Sequence, residues 1–452
     1  MSILLEMLKA LLAMAWLSAW LAAVGSALAA EPLDPVAAGE LPRYVFFDRN
    51  PFSPDPLHWR QWEPERFTVA SMREFAEKIG TAGNARLRIG ATFPFSLLEN
   101  DVDVLKRSIR AMLDAAREAD VPVLIMLDGQ NWWQSRPDLW NWWDPNLPGF
   151  NPDNRYNVEW TGWGAENAIK ISWRNWGQQV RIRPAQNIFA PRVQKEVNAR
   201  LQACAGVVAQ WYRELPKDKR YLLGGVKVGW EASINVNAYY YPDGNRLFEQ
   251  NPADASRDPT QRDIEKGFTF GTPCLGYAAA TAAGLVHPPT RPAGSRSHIE
   301  SVGGAGRELT VQDHEFLVQK YLAGLSRIVR RQGIPPHLIF THQGGTYAPW
   351  DKHLSFKPAI NDDSIPGWSF YSHDPQDSGS LGKDLEAAGR QQWAAAEWWR
   401  GGANEAEWRQ HFERTLSFKQ CRLIAVYNWE PFMADAAALA AVKSLVDEEK
   451  KW

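Results

Sequence analysis

Glu231 closes the run Gly225-Val-Lys-Val-Gly-Trp-Glu231, and Glu397 closes Trp393-Ala-Ala-Ala-Glu397. Both runs read as buried strands, and a carboxylate at the end of a buried strand is costly unless it is paired or used. Two such carboxyls, far apart in the chain and each closing a strand, have the make-up of a catalytic pair. One would give and take a proton, and the other would attack carbon or activate water. The chain also carries 23 Trp residues. Indole faces stack on the C–H faces of sugar rings, so the bond such a pair would break is read as glycosidic. An ion pair at a strand rim is the bland reading of either glutamate alone. Their recurrence at two strand ends favours chemistry.

Trp132, Trp133, Trp140, Trp142, Trp143, Trp160, Trp163, Trp173 and Trp176 crowd one segment, interleaved with Gln130, Asn131, Asn141, Asp144, Asn175 and Gln178. Apolar walls with a few aimed polar groups are the general form of a ligand pocket. The same residues could build a satellite core under a long loop. The expectation is that two or three of them, with Trp132, Trp133 and Trp176 as candidates, face a ligand while the rest pack. Asp128-Gly-Gln-Asn131 puts several hydrogen-bonding groups in a row, which suits a polyol. Asp48 and Asp128 are read as rim residues. His342 is a candidate sugar contact, although a satisfied structural histidine is the commoner role for a lone His. Glu430, beside Trp429, is a third carboxylate candidate. Arg181 and Arg183 could clamp a carboxylated sugar or anchor the loop, and Tyr239 to Gly244 reads as an aromatic-flanked turn walling the site.

These side chains need a scaffold. Eight apolar runs read as strands: 43–48, 85–89, 121–128, 222–231, 337–342, 367–371, 392–397 and 423–430. Helical periodicity lies between most of them, at 68–79, 102–119, 191–215, 309–332, 380–388 and 403–418, with Thr310 and Asp313 spaced as an N-terminal capping pair. Strands alternating with helices predict a parallel sheet. Eight such units predict a single (β/α)8 TIM barrel. Two connections, about 129–190 and 232–308, follow the third and fourth strands and are too long for plain loops. They read as site-building insertions.

The strand positions of Glu231 and Glu397 resemble those of the retaining (β/α)8 glycosidases, whose catalytic glutamates end strands four and seven. The resemblance spans about residues 43–432. It implies Glu231 as acid/base and Glu397 as nucleophile. By it Arg88, in Arg86-Leu-Arg88-Ile, is similar to the strand-two arginine that hydrogen-bonds the nucleophile. Tyr371 is similar to the strand-six tyrosine that does the same, and Trp429 to the tryptophan that floors the sugar subsite. The chain departs from that pattern where Trp230, not Asn, precedes the acid/base. Asn235 or Asn237 would then take the polar role, and Trp230 would help keep Glu231 protonated.

Residues 1–30 read as a secretory signal: Lys9, an apolar run from Ala10 to Val24, and small residues to Ala30, with cleavage after Ala29 or Ala30. That predicts a secreted or periplasmic catalytic domain over 31–452, with no membrane partner after cleavage. A net charge of −2 argues against a nucleic-acid partner. Cys204, Cys274 and Cys421 allow at most one disulfide, and the nine histidines lack metal-ligand spacing, so no metal or cofactor is expected. Oligomeric state has no signature in the chain. The sequence-based reading is a glycoside hydrolase acting on an oligo- or polysaccharide. A non-catalytic sugar-binding barrel and a barrel enzyme of another class, such as a lyase, are the alternatives.

Overall fold

The computed structural model describes residues 42–49, 63–170, 172–175, 179–182, 184–234, 275–285, 307–344, 355–371, 374–378 and 380–447. Eight strands form one sheet: β1 (Arg43–Asp48), β2 (Leu87–Ser96), β3 (Val123–Asp128), β4 (Leu223–Ala232), β5 (Ile339–Gln343), β6 (Gly367–Tyr371), β7 (Gln392–Trp399) and β8 (Gln420–Tyr427). Each pairs in parallel with its neighbours in chain order, and β8 pairs with β1 to close the barrel. Buried on both faces, these strands are the near-continuous apolar runs that a parallel sheet requires.

The outer layer holds α1 (Val69–Ile79), α2 (Val102–Ala119), α3 (Pro191–Glu214), α4 (Val311–Arg331), α5 (Leu381–Ala387), α6 (Glu405–Ser417) and α7 (Ala436–Asp447). Between β5 and β6 the described residues offer only a 3₁₀ turn, Lys357–Ala359. Helix starts are set by local chemistry. Thr68 with Ser71 caps α1, Asp101 caps α2, and Thr310 with Asp313 caps α4, as the spacing of that last pair predicts. Each cap answers backbone N–H groups that have no partner within the helix.

The core has two parts. The larger lies between sheet and helices. The smaller fills the lower barrel with Tyr44, Phe46, Leu124, Phe340, Ile365, Ala394, Leu423 and Ala425. It is a packed interior rather than a channel, so the open space of this fold is at the C-terminal mouth.

Two strands differ from expectation in ways that move candidate site residues. β2 runs on through Gly90 and Pro94 to Ser96, so Arg88 is near its start rather than its end. β8 stops at Tyr427, and Trp429–Met433 is a short helical turn beyond it.

The connection after β3 contains short helical turns and a small antiparallel hairpin, Ser172–Asn175 with Gln179–Ile182. It touches the segment that precedes α4. Trp163 Nε1 donates to Arg307 O at 2.8 Å and its ring meets Tyr277 edge-on. Glu159, 2% exposed, accepts from the backbone N–H of Gly276 at 2.9 Å. Burial pushes the Glu159 carboxyl up to about 8, opposed by the backbone donors of Gly276 and Trp160. Because this pKa is raised on folding, the stability tied to its proton is complete below the unfolded value of about 4.3 and is lost as pH rises towards 8. Glu159→Gln keeps an acceptor for Gly276 and removes the titration. Its Tm is expected to gain on the wild type between pH 4.5 and about 8, then level off. A Tm difference independent of pH would contradict this.

Candidate active site

Both glutamates sit at irregularities in their strands. On β4, Gly229 has φ +78°, Glu231 itself has φ +47°, and the pairing with β5 slips between Val228 and Ala232. On β7 the register slips on both sides of Ala395 to Trp398. Bulges at barrel rims re-aim side chains, and here they turn Glu231 and Glu397 into the mouth. A left-handed glutamate is uncommon and persists only where its surroundings fix it. Gly344, just past β5, does so: a Cβ there would lie 2.4 Å from Glu231 Cβ and 2.5 Å from its Cα. Gly344→Ala must therefore push the Glu231 backbone aside. A misplacement of ~1 Å at a reacting group costs on the order of 10²-fold in rate. That loss of kcat is the expected result for Gly344→Ala, with a folded circular-dichroism spectrum. Unchanged kcat would contradict it.

One oxygen of Glu231, one of Glu397 and a ring nitrogen of His342 all lie within 4.8 Å of one another. Glu397 is 3% exposed. Its Oε2 accepts from Trp230 Nε1 at 2.9 Å and lies 3.6 Å from His342 Nε2. Its Oε1 accepts from the Tyr371 hydroxyl. Glu231 Oε1 accepts from Ser369 Oγ at 2.9 Å, and Ser369 Oγ is 2.8 Å from His342 Nε2. With the Ser369 hydroxyl donating to Glu231, His342 Nε2 must carry a hydrogen to donate to Ser369.

Burial, and next the charge of Glu231, push Glu397 up to about 8, against Lys227 and the Tyr371 hydroxyl, which pull it down. Such carboxyls titrate as a pair rather than singly. Glu397 receives an indole N–H, which can only donate, and the Tyr371 hydroxyl. Burial and the two glutamates hold Tyr371 well above its ordinary value, so it stays a donor. These two donors favour the ionised form of Glu397 and offset part of the cost of its burial. Burial, then the nearby Lys227, hold His342 well below the ordinary imidazole range, so it is neutral.

Glu231, His342 and Glu397 are also the residue types of a small metal site. However, donors from Trp230, Tyr371 and Ser369 already occupy carboxylate oxygens, and the Lys227 ammonium acts on the same group from inside the barrel. This set of donors suits a proton-transfer pair better than a cation, and we assign no metal to it.

The other expected site residues divide clearly. Trp230 is 5% exposed and its indole N–H reaches Glu397. Trp132 lies against it, ring centroids 6.2 Å apart. Asp128 is fully buried and accepts from the backbone of Gln130 and Asn131. Asn131 Nδ2 donates to Trp230 O and Gln130 Nε2 to Ser233 O. These three therefore pin the β3 loop to the β4 bulge.

Four expectations are corrected. Arg88 is at the opposite end of the barrel, stacked 3.6 Å over the Tyr221 ring, because β2 begins rather than ends there. Trp429 is 0% exposed and packs between Phe47 and Phe75, so it has no face for a sugar. Trp133 is a core residue whose Nε1 donates to Pro184 O. Glu430 lies on the helical turn after β8, close enough to Asp48 to raise it, rather than at a strand end. Asp48 points inward, pushed by burial up to about 7 with Lys227 opposing. Asn235, Asn237, Trp176, Arg183, Cys274, the residues 239–244 and the leader lie outside the described residues, and the side chains of Trp173 and Arg181 do too. Cys204 and Cys421 are buried free thiols.

Sequence reasoning does not single out Ser369 or Lys227 as site residues. Ser369 is two residues before Tyr371, on the same face of β6. Lys227 is legible in principle, since a lysine inside Val-Lys-Val is anomalous in a buried strand. No protein-family model matches the chain, and no curated protein matches it.

Proposed function

We propose that the protein is a glycoside hydrolase that cleaves an O-glycosidic bond of an oligo- or polysaccharide with retention of anomeric configuration. One observation carries the reading: oxygens of Glu231 and Glu397, from β4 and β7, lie within 4.8 Å at the C-terminal mouth of a closed barrel. Retaining glycosidases hold their carboxyls ~5–5.5 Å apart, whereas inverting ones leave ~6.5–9.5 Å for a water.

In this reading Glu397 is the nucleophile. Its carboxylate attacks the anomeric carbon as the bond to the leaving oxygen breaks, and Glu231 gives that oxygen its proton. Glu231, now ionised, takes a proton from water. The water oxygen then attacks the anomeric carbon and releases Glu397. Trp230 and Tyr371 hold Glu397 ionised and aimed. Ser369, backed by neutral His342, orients Glu231 through both steps. The Trp230 indole, backed by Trp132, lies beside the nucleophile. The apolar leader read in residues 1–30 supports action outside the cytoplasm.

The test is hydrolysis of a panel of oligosaccharides and polysaccharides, with the first-formed product anomer read by proton NMR. Retention is expected. Release of the inverted anomer would overturn the double displacement, and no hydrolysis across a broad panel would overturn the activity.

A further inference from the structure

We propose that Lys227 is a positioning residue that ties the two catalytic strands together across the barrel interior and sets the charge of the carboxyl pair. This rests on the reading of Glu231 and Glu397 as the functional pair.

The geometry is unusual for a lysine. Lys227 is 1% exposed, in the middle of β4, the strand that carries Glu231. Its Nζ donates to the carbonyl of Ala396 at 2.6 Å. Ala396 immediately precedes Glu397, inside the irregular stretch of β7. β5 and β6 separate β4 from β7 around the wall, so this bond crosses the interior instead of running along the sheet. One side chain thus links the strand of one glutamate to the backbone that aims the other.

A buried ammonium costs several kcal/mol after relaxation unless it is compensated. A lone carbonyl does not suffice. The charges that act on Lys227 are Glu397, Asp48 and Glu231, which oppose the downward pull of burial. They come from β7, β1 and β4. Among the described residues, the other titratable groups around the mouth are neutral or otherwise engaged. His342 on β5 is held neutral by burial. Tyr371 on β6 and Tyr427 on β8 are pushed upward by burial and by the glutamates. Asp128 on β3 accepts from its own loop. Glu430 acts on Asp48. Lys227 thus faces three acids, with burial lowering its own pKa on balance, and its ammonium opposes proton uptake by Glu397 and Asp48.

The test uses the full-length protein as Lys227→Met, which keeps the length of the side chain and removes charge and donor. Carboxyl titration is followed by infrared difference spectroscopy on protein carrying ¹³C-labelled glutamate. An opposite charge nearby lowers a carboxyl pKa by ~1–3, so without it the midpoint of the pair is expected to rise by about one pH unit or more. In activity assays both limbs of the pH profile should move up with it. On the acid limb each unit of that shift lowers kcat ~10-fold at a fixed pH, with KM little changed. Lys227→Met leaves Asp48 with the same imbalance, so Asp48→Asn/Lys227→Met is compared with Asp48→Asn as a second pair whose fold does not depend on that contact. The same rise is expected there. Titration curves that superimpose within both pairs would overturn the proposal. The spectroscopic readout needs no substrate, so a failure of the glycosidase reading and a failure of this one are told apart.

Discussion

Glu397→Gln is expected to reduce hydrolysis by on the order of 10⁴-fold or more, the scale seen when one member of a covalent-catalysis unit is removed. The amide is nearly isosteric, and its oxygen can still accept from Trp230 Nε1 or from the Tyr371 hydroxyl. It cannot attack the anomeric carbon as an anion. The loss should therefore fall on kcat and kcat/KM together, with glycan affinity by calorimetry nearly unchanged. One further consequence follows from the electrostatics. The charge of Glu231 is the second cause, after burial, of the raised pKa of Glu397, so the two groups titrate together. Removing one titrating partner is expected to leave a single proton uptake where a coupled pair takes up two. Undiminished hydrolysis by Glu397→Gln would remove it from the mechanism.

Glu231→Gln is expected to cost about 10²–10⁴-fold, the usual worth of a positioned general acid–base, and the loss should depend on the leaving group. Natural glycans need the proton and should lose most. Aryl glycosides with acidic phenols leave without it, so their first step should survive while water attack on the intermediate, which needs Glu231 as base, becomes slow. A burst of phenol followed by slow turnover is the expected signature. Equal losses on both substrate types, without a burst, would argue that Glu231 only holds the site in shape. The left-handed backbone of Glu231, wedged against Gly344, makes the second outcome a real alternative, and the burst separates the two.

Periodicity and turn chemistry made the barrel legible. Apolar runs such as Arg43–Asp48 and Gly367–Tyr371 match observed strands residue for residue, because a strand buried on both faces leaves little choice of composition. The Thr310 and Asp313 cap is readable because it is local. Errors arise where a local rule is overridden by closure of the sheet. Gly90 and Pro94 look like breakers, yet β2 continues through them to Ser96 between β1 and β3. Ending the strand early is what turns Arg88 into a rim residue. At β8 the opposite happens: an apolar run continues past Tyr427 into a helical turn, and Trp429 goes with it into the core.

The two glutamates can be found because an acid in a buried strand is conspicuous. Tyr371 is reached only through the family resemblance. The bulges at Gly229 to Glu231 and Ala396 to Glu397, the Ser369 relay and the role of Lys227 depend on neighbours that are remote in the chain, and no spacing announces them. The tryptophan-rich segment shows the limit of composition. Trp133, Trp140 and Trp160 pack and spend their N–H groups on backbone carbonyls, whereas Trp132 packs against Trp230, the indole that reaches Glu397.

Whether Glu231 and Glu397 act on one sugar, as acid/base and nucleophile, is decided by intact-mass and peptide analysis of Glu231→Gln after mixing with a panel of activated aryl glycosides. An added mass of one glycosyl unit, mapped to the peptide that contains Glu397, is the expected result. A glycosyl unit on any other residue, or turnover at the wild-type rate with no adduct, would contradict that division of roles.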